Sequence, residues 1–127
     1  MWNNNLYIGG EYEQLLSFHY DPVAQQIQVP FTSATPETFD YPGPSPSVSS
    51  NGTSNGIVWI FGTDFGTRDS VLRAYDANNL ANELYNSNQN PQRDKAGAII
   101  QFVTPTIADG LVFIGARNEV DVYGLLN

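Results

Sequence analysis

Three stretches of this chain repeat one pattern: an apolar strand with an aromatic second residue, a polar gap, then an alternating strand with an aromatic at or beside its end. They read Leu6-Tyr7-Ile8-Gly9 then Leu16-Ser17-Phe18-His19; Val58-Trp59-Ile60 then Leu72-Arg73-Ala74-Tyr75-Asp76; and Val112-Phe113-Ile114-Gly115 then Val120-Asp121-Val122-Tyr123. The first strands begin at Leu6, Val58 and Val112, 52 and 54 residues apart. The second begin at Leu16, Leu72 and Val120, 56 and 48 residues apart. A unit that recurs with this spacing cannot bury its own apolar faces and must stack on its neighbours.

A period of about 50 residues with several short strands per unit is the signature of a β-propeller blade array. The expected class is therefore all-β, with four-stranded antiparallel blades. Closing such a ring takes at least about four blades, and 127 residues supply about two and a half. Strands are legible at 5–9, 14–20 and 26–31; at 47–50, 56–61, 70–76 and 83–86; and at 99–107, 111–115 and 119–123. Asn51-Gly52, Asn55-Gly56 and Asp109-Gly110 supply the turn chemistry of tight hairpins. Lettered from the inside outward, the groups count as B-C-D, A-B-C-D and A-B-C. The expected organisation is a partial three-stranded blade over 1–31, a Pro-rich loop over 32–46, a complete blade plus polar loop over 47–98, and a partial C-terminal blade over 99–127. The two end blades cannot complete each other, so the reading is the C-terminal part of a longer propeller. Its exposed end faces and edges call for the remaining blades, or for self-association, as partner.

Composition narrows the partners further. Thirteen acidic against five basic residues give a net charge of −8. Such a surface repels phosphate backbones and anionic headgroups, so neither nucleic acid nor a membrane surface is an expected partner. With no cysteine, disulfides, thiolate nucleophiles and Cys-ligated zinc are excluded. No apolar run approaches the ~20 residues of a membrane span. Met1-Trp2-Asn3-Asn4-Asn5 has neither the basic nor the apolar region of a signal peptide, so none is expected within this chain.

The segments 105–115 (PTIADGLVFIG) and 71–77 (VLRAYDA) resemble the repeat of quinoprotein-like propellers, the eight-bladed fold of pyrroloquinoline quinone (PQQ) alcohol dehydrogenases and their non-enzymatic relatives. Residues 47–126 are similar to the C-terminal end of a bacterial group of large, exported proteins of this kind. The resemblance implies an eight-bladed parent and an extracytoplasmic location. Ala74 and Asp76 match the family's Ala-x-Asp, but its Gly falls on Leu80 and its inter-blade Trp on Leu84, so Leu84 or Tyr85 must fill that gap. The family's cofactor-contacting Cys pair is missing. No residue here carries over as a cofactor ligand; PQQ and calcium enter only if the parent is a quinone enzyme.

Chemistry-bearing residues are few. Asp76, at a strand end, is expected to accept turn N–H groups. Asp76, Asn78, Asn79, Asn82 and Glu83 resemble a calcium loop only loosely, without EF-hand spacing. His19 has no visible catalytic or metal partner. Trp2, Tyr7, Trp59, Tyr75, Phe113 and Tyr123 recur at matching positions and are expected to pack between blades, with Gly115 closing the third repeat. Tyr41, beside Pro42-Gly43-Pro44, is the best candidate for an exposed loop contact. Asp64, Asp69, Asp94 and Glu119 are the loop carboxylates from which a glycosidase pair could be drawn. Asn51-Gly52-Thr53 fits a glycosylation sequon but reads better as a hairpin turn. The expected role is a non-catalytic scaffold or interaction module of an exported bacterial protein. The rivals are a fragment of a PQQ-dependent dehydrogenase and a carbohydrate-binding propeller using loops 32–46 and 87–98.

Overall fold

Alternation along the longest strand dictates the layering. In Val58-Trp59-Ile60-Phe61, Val58 and Ile60 enter one apolar cluster while Trp59 and Phe61 enter another. A strand apolar on both faces must be covered on both. The computed structural model, which describes residues 1–67 and 69–125, places this strand in a sheet with a neighbour on each side.

The first sheet runs β1 (Asn5–Gly9), β2 (Leu15–Asp21), β3 (Gln26–Ile27), with β4 (Ser33–Ala34) also paired to β2. The second is the meander β5 (Ser47–Asn51), β6 (Ser54–Thr63), β7 (Ser70–Asp76), β8 (Asn79–Asn86). The third is β9 (Thr106–Ala108), β10 (Leu111–Ala116), β11 (Glu119–Tyr123). Every pairing is antiparallel. One helical turn, α1 (Pro91–Asp94), interrupts the connection to the third sheet. The fold is all-β.

Two apolar layers hold the sheets together. Tyr7 and Leu15 of the first sheet meet Val58, Ile60, Tyr75 and Leu80 of the second, with Phe39 wedged beside them. Phe61 and Leu72, on the opposite face of the second sheet, meet Val112 and Ile114 of the third. Each of these side chains excludes water, worth roughly 1.5–3 kcal/mol when fully buried.

Register brings the repeats into correspondence. Tyr7 lies opposite Ser17, Trp59 opposite Ala74 and Phe113 opposite Val122. Leu15 lies opposite Gly9, Leu72 opposite Phe61 and Val120 opposite Gly115. The second strand of the first unit is thus aligned on Leu15, not on Leu16 as the sequence pattern suggests. Two consecutive leucines leave the phase open in the sequence; the pleat settles it, because only Leu15 shares the inner face with Tyr7 and Ser17.

Three other sequence expectations are corrected. Asn55-Gly56 lies inside β6 and makes no hairpin; Asn55 takes a positive φ of 54° beside a register shift in the ladder. Gly56 is required there for room, since a Cβ would stand 2.7 Å from the Trp2 ring and 2.8 Å from Ala77 Cβ. The run 99–107 becomes a strand only at its end: Ile99 bridges Ala116, and Phe102 turns into positive φ at 64° before β9. Within 32–46, Ser33 and Ala34 pair with Ser17 and Leu16. Turns at Gly52 (φ 61°) and at Asp109 and Gly110 (φ 51° and 76°) stand where their dipeptides place them.

Candidate functional site

One charged side chain sits in the middle of a buried strand. Arg73 on β7, flanked by Leu72 and Ala74, is only 7% exposed. Pairing with Ile60 turns it toward the first sheet, where the side chain keeps only 9% of its surface in contact with water. Such a group persists only if its N–H donors are satisfied by acids. Three converge on it. Asp64, just beyond β6, accepts from Nε at 3.3 Å and from Nη2 at 2.5 Å. Glu83 of β8 accepts from Nη1, and Glu37 of the preceding connection lies 3.5 Å from the same nitrogen.

The network extends one residue further on each side. Tyr75 donates its hydroxyl to Glu37 at 2.7 Å, and Asn86 donates to Glu83 at 2.8 Å. Burial opposes the charge on Arg73, but its hydrogen bonds to Asp64 and Glu83, with the electrostatic influence of Tyr75 and Asp64, prevail and raise its pKa. Burial likewise raises the Tyr75 phenol, reinforced by Glu37. Every donor and acceptor is engaged. Chemically the cluster is a clamp: it ties the 35–40 segment, the end of β6, β7 and β8 at one point. It offers no free acid–base pair of shifted groups.

The other sequence candidates are dispersed. Asp76 accepts the backbone N–H of Asn78 at 2.9 Å, and Asn79 accepts that of Ala81 at 3.2 Å. Glu83 belongs to Arg73, so the oxygens of the loosely calcium-like run do not converge. Asp64 is in the Arg73 cluster; Asp94 is forked by Arg93 at 2.5 and 2.6 Å, which lowers its pKa. Asp69 lines a separate open cleft of about 440 Å³ with Lys95 and Asn88. Glu119 stands at the start of β11. His19 is half-buried opposite Asn5.

Trp2, Tyr7 and Tyr75 pack in the first apolar layer, Trp59 and Tyr123 in the second. Tyr7 also donates to the Ala77 carbonyl at 2.8 Å. Tyr85 fills the second layer while Leu84 is exposed. Phe113 points the other way, out of the stack. Tyr41 is 49% exposed on its loop, its N–H bonded to Asp40. The sequon residues form the β5–β6 hairpin tip, where Gly52 and Thr53 carbonyls accept from Trp2 and Asn3 at 2.9 Å each. A cleft of about 620 Å³, walled by Pro46, Val48, Pro105 and Ile107, opens between β5 and β9 beside Tyr7.

Sequence reasoning overlooked Arg73, Glu37 and the pairing role of Glu83. A signal was present: an arginine inside Val71-Leu72-Arg73-Ala74-Tyr75 must find acids wherever that strand is buried. No protein-family model, curated protein or solved structure matches this chain.

Proposed function

We propose that this chain is a non-catalytic segment of a quinoprotein-like β-propeller, acting as a scaffold or interaction module of an exported bacterial protein. The observation that carries the reading is the correspondence of the three sheets. Tyr7 and Trp59 occupy matching register positions, and each packs on the next sheet in the series. A polypeptide built of repeated layers presents extended faces and edges on which partners can dock. The buried charged cluster around Arg73 is internally neutralised in part and fully bonded, as a structural clamp would be.

The decisive assay is titration with PQQ and calcium, followed by dye reduction with primary alcohols and aldose sugars. The expected outcome is no turnover above a protein-free blank. Sustained turnover would replace the scaffold with a quinone dehydrogenase.

A further inference from the structure

The two end faces of the stack are the two halves of one interface that the chain already makes twice. On the first sheet, the face turned away from the second carries Leu6, Ile8, Leu16, Phe18, Tyr20 and Ile27, by their pairing with one another. On the third sheet, the outward face carries Leu111, Phe113, Val120 and Val122, with Thr106, Ala108 and Gly115 between them. In a chain of net charge −8, neither set contains a charged residue. Ile8 and Ile27 are 49% and 48% exposed, Val120 and Val122 66% and 53%.

These positions are not arbitrary. Phe113 and Val120 correspond by register to Trp59 and Leu72, which bury against the third sheet, and to Tyr7 and Leu15, which bury against the second. Leu6 and Ile8 correspond to Val58 and Ile60, and again to Val112 and Ile114, the residues that receive the preceding sheet. The outward face of the third sheet therefore has the pattern that donates to a next sheet. The outward face of the first has the pattern that accepts a previous one. What fits each is a further sheet of this same repeat.

For the 127-residue chain by itself, we infer that a second copy supplies it, docked head to tail, and that two copies close a ring of six sheets. This rests on the stacked-repeat reading above. A contact between unlike faces either closes a ring or grows a filament. Sheet rings of this architecture close at about four to eight layers. One copy brings three, too few; three copies bring nine, too many; two bring six. Both joints of the pair are then equivalent, and no apolar end face remains.

Sedimentation equilibrium and native mass spectrometry test this on the intact chain. The expected species has twice the 14.0 kDa chain mass, and it tightens with added salt as repulsion between two acidic copies is screened. Ile8→Asp and Val122→Asp each place a charge at an exposed position, with retained folding checked by far-ultraviolet circular dichroism. Each alone should be monomeric, because every joint needs one of each face. Mixed, they should form a heterodimer through the single joint left intact. A monomeric wild type, an Ile8→Asp or Val122→Asp variant that still dimerises, or a ladder of higher masses would each overturn the inference. Dehydrogenase turnover would sink the scaffold reading without altering the mass, so the two failures are distinguishable.

Discussion

Arg73 shows what a single charge does in a layered core. With its guanidinium removed, Asp64, Glu83 and Glu37, each 22–25% exposed, face one another with no counter-charge between them. Breaking a buried ion cluster by deleting one partner is costly. Arg73→Met should lower the unfolding free energy by about 3 kcal/mol in urea titration; Arg73→Lys, which keeps charge but loses the fork to Asp64, should lose less. Equal losses for the two variants would mean that packing, not charge, holds the site. Tyr7 gives a pH dependence of definite sign. Burial pushes its phenol up to about 12, whereas an unfolded tyrosine ionises near 10. Its contribution is complete below pH 10. Between about 10 and 12 the unfolded chain has shed the proton and the folded chain has not, so stability falls as pH rises, by about 1.4 kcal/mol per pH unit. Urea midpoints taken across this window, beside tyrosinate absorbance, should show the decline, and Tyr7→Phe should make it shallower.

Among the elements, β6 and β7 are set apart by having both faces covered. Val58, Ile60, Phe61, Val71, Leu72 and Tyr75 are all nearly inaccessible to water. Opening the first or third sheet disturbs one apolar layer; opening the second disturbs both. In the dissociated chain, as in Ile8→Asp or Val122→Asp, amide hydrogen exchange should therefore be slowest in Ile57–Gly62 and Val71–Tyr75, and faster in β1–β2 and β10–β11. If β10 proves to be protected as strongly as β6, its outer face is covered in solution. The elements also mark where sequence was readable. Alternation located the long strands, and Gly52 and Gly110 located two hairpins. Alternation could not choose between Leu15 and Leu16, because both fit a strand and only tertiary contact decides which is inward. Asn55-Gly56 misled for a related reason: a glycine needed for room beside Trp2 looks the same in sequence as one needed for a turn. Short pairings such as Ser33–Ala34 carry almost no pattern of their own.

For the molecule as a whole, the all-β class was legible because three units repeat at similar spacing, and repetition is a global signal. The clamp was not, because its acids come from positions 37, 64 and 83, on separate elements that only the fold brings together. Long separation has a further effect. The Tyr7 hydroxyl bonds the Ala77 carbonyl, 70 residues away, and Leu80 lies in the same layer as Leu15. During translation the β1–β2 hairpin must wait, with its inner face wet, until the ribosome has released β7 and β8. For that interval Tyr7 and Leu15 stand uncovered on the nascent polypeptide, open to any apolar surface that reaches them before their own cover arrives.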